Sequence, residues 1–167
     1  REFFGGDAGD LRAIRQAVQS PLLRKDFIID SLQVLESRII GADAVLLIAR
    51  LLDGAELRDF IASVRAAGMA ALVEVHDLAD LEKAVEAGAG IIGINNRDLS
   101  TFRTDVRRTL DLLPFIPEGK TIVSESGIHS RAQIEQLGQA GVRAFLVGEA
   151  LVKEADPASK MKELLGR

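Results

Sequence analysis

The 167-residue chain contains no cysteine, which removes disulfides, thiolate catalysis and cysteine-ligated metals from consideration. It has no long apolar run: stretches such as Ala44–Ala49 are strand-sized, far short of a membrane span. No basic-then-apolar leader precedes the first patterned segment, so a cytoplasmic protein with no membrane partner is expected. Positive charge is not in excess. Lysine and arginine number 21 against 25 aspartates and glutamates, a formal net charge of −4, which argues against nucleic acid as a partner. No proline- or serine-rich linker divides the chain, and residues 1–167 are expected to form a single domain. What remains is 47% hydrophobic and 28% charged, the composition of an ordinary globular domain with a core of its own.

Within that composition the chain repeats itself. Gly41-Ala42-Asp43-Ala44, Gly68-Met69-Ala70-Ala71, Gly88-Ala89-Gly90-Ile91 and Gly141-Val142-Arg143-Ala144 each follow an amphipathic stretch and precede a short apolar run. Glycine supplies the left-handed conformation that ends a helix before the chain turns into a strand. The helical stripes are Leu11, Ile14 and Val18; Leu57, Phe60, Ile61 and Val64; Leu78, Leu81 and Val85 after a capping Asp77; and Ile134 with Leu137. The expected strands are Leu22–Ile29, Ala44–Ile48, Ala71–Val75, Ile91–Asn95, Thr121–Ser126 and Ala144–Val147. Their near-continuous apolar character suits parallel strands covered on both faces. Six βα units fit either a doubly wound open sheet or an incomplete eight-stranded barrel. The turn after the first strand lacks the GxGxxG that an open sheet usually places there.

Polar residues gather where the strands end. Lys25 with Asp26, Glu74 with His76, the run Asn95-Asn96-Arg97, the run Ser124-Glu125-Ser126-Gly127, and Gly148 with Glu149 all fall at that edge. In a β/α barrel this rim is where active sites are assembled from several strands. A single charged side chain in such a strand could be a buried structural ion pair, but five of the six strand ends with the same feature point to a site. The small residues Ser126-Gly127 and Gly148 close the last two strands, where backbone N–H groups approach a bound phosphate closely. His76 and His129 have no carboxylate cluster at metal-ligand spacing. His76 reads as a rim residue and His129 as a loop residue, with no metal expected.

These segments, in this order, resemble indole-3-glycerol phosphate synthase. Pro21-Leu22-Leu23-Arg24-Lys25-Asp26-Phe27-Ile28-Ile29-Asp30 is similar to the family's third strand, and Ala71-Leu72-Val73-Glu74-Val75-His76 to its fifth. Ile92-Gly93-Ile94-Asn95-Asn96-Arg97-Asp98-Leu99 resembles the sixth, Val123-Ser124-Glu125-Ser126-Gly127-Ile128 the seventh, and Leu146-Val147-Gly148-Glu149 the eighth. Phe3-Phe4-Gly5-Gly6 looks like the loop after the second. Two departures stand out. The family's first strand, with its Glu-x-Lys-x-x-Ser-Pro-Ser motif, has no counterpart, nor do its second strand and N-terminal helical extension. Ala150 also stands where serine is common. The resemblance implies a (β/α)8 TIM barrel in incomplete form, with six βα units present and the first two absent.

It also implies an enzyme that closes an indole ring on a phosphorylated open-chain anthranilate derivative, losing carbon dioxide and water without a metal or cofactor. By resemblance Lys25 is the general acid, Glu74 its acid/base partner, and Asn95 the residue that orients the reacting group. Arg97, Glu125 and Ser126 bind substrate, while Ser126, Gly127, Gly148 and the backbone of Glu149 lie against its phosphate. Without the first-strand residues the 167-residue chain alone is expected to be inactive, and its open sheet edges are expected to promote self-association. The alternatives are another phosphate-binding barrel enzyme, such as a sugar-phosphate isomerase or epimerase, and a non-catalytic truncated scaffold.

Overall fold

All four helix-ending glycines have positive φ in the computed structural model, which describes residues 6–98 and 101–167: 95° at Gly41, 72° at Gly68, 86° at Gly88 and 110° at Gly141. At each, the next residue's N–H donates to the carbonyl five residues back: Ala42 to Ser37, Met69 to Val64, Ala89 to Ala84 and Val142 to Leu137, at 2.9–3.0 Å. That bond satisfies a carbonyl the helix would otherwise leave open, and the apolar residue making it is buried every time. The sequence repeat is therefore one physical device used four times.

Helix starts are equally local in origin. Asp30 and Gln33, Asp53 and Glu56, and Ser130 and Gln133 form reciprocal capping boxes, and the Asp77 side chain accepts from Asp80 N. The elements run α1 (Ala8–Ala17), β1 (Leu23–Arg24), α2 (Ser31–Ile39), β2 (Ala44–Ile48), α3 (Gly54–Ala66), β3 (Ala70–Val75), α4 (Leu78–Glu86), β4 (Ile91–Asn95), α5 (Arg107–Leu112), β5 (Thr121–Glu125), α6 (Arg131–Gln139), β6 (Ala144–Leu146), α7 (Glu149–Val152) and α8 (Pro157–Leu165). Short 3-10 turns follow β2 and α5.

Among the described residues six strands lie in chain order, and every pairing between them is parallel. β1 and β6 have one neighbour each, so the sheet is an incomplete β/α barrel rather than a closed one. Side chains alternate between two layers. Val45, Leu47, Val73, Val75, Ile92 and Ile94 pack against Leu57, Ile61, Val64 and Leu81 of the helices. Leu46, Leu72 and Val123 face the other way and meet Leu23, Ile48, Ile91 and Leu146. Register places Glu74 beside Ile48 and Gly93, and Glu125 beside Asn95 and Leu146, so both carboxylates and Asn95 share this inner face.

Three expectations need correction, besides β6 stopping one residue short of Val147. The strand expected over Leu22–Ile29 is only Leu23–Arg24. Arg24 turns outward, nine-tenths buried, and bonds to Gln33 O, Glu36, Ser37 and Asp26. Gln33 then accepts from the N–H groups of Ile29 and Asp30 and donates to Phe27 O. These bonds bend residues 25–30 away from the ladder, leaving Phe27 and Ile29 exposed. The strand expected to end at Ser126 ends at Glu125, because Ser126 leaves extended geometry with φ of 66°. The stripe Leu11, Ile14 and Val18 belongs to a helix with no buried residue, Val18 being its C-cap. Leu11 alone of the stripe packs, half-buried, against the core, and polar contacts add to it: Arg15 pairs with Asp43 at 2.7 Å, and Asp43 also accepts from Leu22 N. Residues 3–5 of Phe3-Phe4-Gly5-Gly6, and Leu99, lie outside the described residues. No helix among the described residues is long and apolar enough to cross a membrane.

Candidate active site

Glu74 is the centre of the inner rim. It sits one residue before the end of β3 with 4% of its side chain exposed, and three side chains converge on it. Lys25 Nζ lies 3.2 Å from Oε2. Asn95 Nδ2 donates to Oε1 at 3.1 Å, and His76 Nε2 lies 3.3 Å from the same oxygen. A carboxylate buried this far is tolerable because cation and amide donors replace water. Asn95 is fixed at both ends, since its Oδ1 accepts from Arg97 N at 3.0 Å. Lys25 differs from the rest: it follows the short β1, and its side chain is 47% exposed while its ammonium touches Glu74. It combines contact with the cluster and freedom to move.

Glu125, at the end of β5, is wholly buried against this group. Burial first, and the Glu74 carboxylate second, push its pKa up to about 8, with Lys25 opposing. His76, expected at the rim, is buried between β3 and α4, with Nδ1 3.6 Å from Asp80 Oδ2. Burial holds its pKa below the usual histidine value despite the pull of Glu74. Asp80 in turn accepts from His76 N and pairs with Arg50.

The neighbouring Asn96 faces the helices instead. It donates to Ser124 Oγ and Ser126 O and accepts from Thr109 N and Oγ1, a buried knot tying β4, α5 and β5 together.

A second cluster forms over the last strands. Arg97 pairs with Glu149, which also pairs with Lys153. Hydrogen bonds from Lys153 and then Arg97 hold the Glu149 pKa down to about 2. Ser126 and Gly127 follow β5 with φ of 66° and 73°, two successive left-handed residues. The first costs about 1–2 kcal/mol for a residue with a Cβ, and such strain concentrates at functional sites. Gly127 is required twice over, because a Cβ there would lie 2.9 Å from Thr104 Cβ. Gly148 is the N-cap of α7, a helix of only four residues.

The structure thus brings Lys25, Glu74, Asn95 and Glu125 into one group. Arg97 and Glu149 form a separate ion pair, and Ser126, Gly127 and Gly148 lie on the loops beyond β5 and β6. Sequence reasoning passed over Gly93, Thr104 and the burial of His76. Gly93 shares the face of Glu74, which the alternation along β4 could have shown.

The sequence profile described as indole-3-glycerol phosphate synthase matches residues 1–164. The indole-3-glycerol phosphate synthase of Sulfurimonas denitrificans is 51% identical over 97% of this chain and 62% of its own length. That of Variovorax paradoxus is 48% identical over 98% of this chain and 62% of its own. The chain therefore spans about 62% of the length of these relatives. Among solved structures, 3-hexulose-6-phosphate synthase from Salmonella typhimurium superposes with a TM-score of 0.81 at 20% identity, covering 94% of this chain and 77% of that one. A mutant tryptophan synthase α-subunit from Pyrococcus furiosus gives 0.75 at 20% identity, covering 98% and 75%. At that identity the two structures speak to the fold alone.

Proposed function

The chain belongs to the indole-3-glycerol phosphate synthase family, and from that premise we propose that its inner rim serves the family's ring closure. The substrate is 1-(2-carboxyphenylamino)-1-deoxyribulose 5-phosphate, converted with loss of carbon dioxide and water in tryptophan biosynthesis. The protein acts as a decarboxylating carbon–carbon lyase of the cytoplasm, with this phosphorylated small molecule as its partner.

The reaction must polarise a carbonyl, protonate a departing hydroxyl and remove a proton to restore aromaticity. A cation that donates and a separate carboxylate that accepts are the minimum apparatus. The observation that carries the reading is the contact of Lys25 Nζ with Glu74 Oε2 at 3.2 Å, with Asn95 on the carboxylate's other oxygen. Lys25 acts as general acid, its exposed stem letting the ammonium reach the substrate oxygen. Glu74 takes and returns the proton in dehydration, and Asn95 orients it. Glu125 lies in the shell around the reacting groups. Arg97 binds substrate at the rim, beside the phosphate end, through charge that its pairing with Glu149 aims. Ser126, Gly127, Gly148 and the backbone of Glu149 receive the phosphate, the left-handed pair Ser126-Gly127 turning the chain out of the ladder just beyond β5.

The test is formation of the indole product from the open-chain substrate, followed by its fluorescence. The purified chain is assayed alone and with the two βα units that precede this region in the family. Indole formation in either arm supports the reading. Its absence in both, with a native amide spectrum, overturns it.

A further inference from the structure

We propose that Glu125 carries a proton which it donates to Glu74, and that Gly93 is the residue that makes room for it, so that Glu125 and Gly93 together position the Glu74 carboxylate. Neither has contact with solvent-borne charge to do this. Glu125 is 0% exposed, and both of its carboxyl oxygens are buried with no donor reaching them among the described residues. An ionised carboxylate in that state would be out of bulk water with no donor among the described residues to stabilise it.

The groups packed around Glu125 leave one arrangement. Across the sheet its register partners are Asn95 on β4 and Leu146 on β6, which bring no charge. The charged groups that face it are Glu74 on β3 and Lys25 beyond β1. Lys25 Nζ and Asn95 Nδ2 already donate to the two oxygens of Glu74. Two carboxyls in one dry site do not both ionise. The proton therefore resides on the carboxyl that lacks donors among the described residues, Glu125, with the Glu74 carboxylate as the acceptor it faces. Glu74 is then held by a cation, an amide and an acid, with His76 Nε2 3.3 Å from Oε1. The upward displacement of the Glu125 pKa agrees in direction.

Gly93 explains how the two carboxyls meet. It lies mid-strand in β4, between Glu74 on one side and Val123 on the other, and is not among the glycines with positive φ. Backbone geometry thus does not call for glycine, and a glycine inside a strand weakens it unless something approaches closely. Something does. A Cβ at this position would lie 1.9 Å from Glu125 Oε1 and 3.0 Å from its Cδ. The Glu125 carboxyl lies over the bare Cα of Gly93, whose register partner on β3 is Glu74. Any side chain at 93 would push it away.

This assignment does not depend on the substrate proposed above, and its first test uses none. The chain is labelled with carboxyl-13C glutamate, and the Glu125 resonance is identified by its loss in Glu125→Gln. The expected midpoint is about 8, and in Gly93→Ala it should fall toward the ordinary carboxylate range as the displaced carboxyl meets water. A wild-type midpoint near the usual 4.5 overturns the proposal, as does a folded Gly93→Ala whose Glu125 midpoint is unmoved. Should Gly93→Ala not fold, the wild-type midpoint decides alone. In an active form of the protein, Glu125→Gln retains a neutral donor and should preserve kcat at alkaline pH better than Glu125→Ala does. Equal pH profiles for the two would refute the positioning role.

Discussion

Replacing Thr109 by valine tests the buried knot that sets β4 and β5 beside each other. Thr109, Ser124 and Asn96 are essentially inaccessible, at 0%, 0% and 1% exposure. Thr109 Oγ1 lies 2.8 Å from Asn96 Oδ1 and 2.8 Å from Ser124 Oγ. Asn96 Oδ1 has no proton to give, so the threonine hydroxyl donates to it and the serine hydroxyl donates to the threonine. Valine keeps the shape and removes the oxygen. Both bonds vanish, the Ser124 hydroxyl proton loses its acceptor, and Asn96 Oδ1 keeps only Thr109 N at 3.2 Å. At roughly 0.5–1.5 kcal/mol net per bond, plus the orphaned donor, Thr109→Val should cost about 2–3 kcal/mol. Urea unfolding should show this as a lower midpoint at unchanged m-value. Adding Ser124→Ala removes the orphaned donor, so the double variant should be more stable than the sum of the single losses by at least ~0.5 kcal/mol. Stability of Thr109→Val within ~0.5 kcal/mol of the parent would refute the reasoning, because these residues would then not act as a hydrogen-bonded unit.

The folded state holds the Glu125 proton to a pKa of about 8 against an ordinary 4.5. Between those values the folded chain is protonated and the unfolded chain is not, so stability should fall as pH rises through that window. Denaturation at several pH values should show Glu125→Gln gaining on the parent by a few kcal/mol from pH 5 to 8; a constant difference would contradict this. Gly127→Ala meets a left-handed φ of 73° and Thr104 at 2.9 Å, and should lower stability by about 1–3 kcal/mol in thermal melts. β1 and β6 each leave one edge unpaired, so the 167-residue chain should elute as associated species in sizing at high concentration; a concentration-independent monomer would speak against it.

Local chemistry made much of the fold legible. Gly41, Gly68, Gly88 and Gly141 each close a helix by the same bond, and β2 and β4 run over the very residues their apolar runs indicated. Those features are decided within six or so residues of chain. What escaped is decided between elements. β1 is cut short by Arg24 bonding into α2, which no alternation of apolar residues reports. His76 reads as a rim residue until Asp80 of α4 is packed over it. Gly93 and Glu125 are 32 positions apart in the sequence, and only the register between β4 and β5 reveals that one makes space for the other. The convergence of Lys25, Asn95 and Glu125 on Glu74 likewise depends on the parallel order of the sheet, for which strand ends in sequence were a sufficient guide.

The most direct measurement is steady-state kinetics of Lys25→Ala in an active form of the protein, made in parallel with substrate binding. With Lys25 as general acid, its charge is needed most as the carbonyl oxygen gains electrons. kcat should then fall by roughly 100-fold or more, while substrate Kd changes only a few-fold. An unchanged kcat with a raised KM would show that Lys25 only helps to hold the substrate.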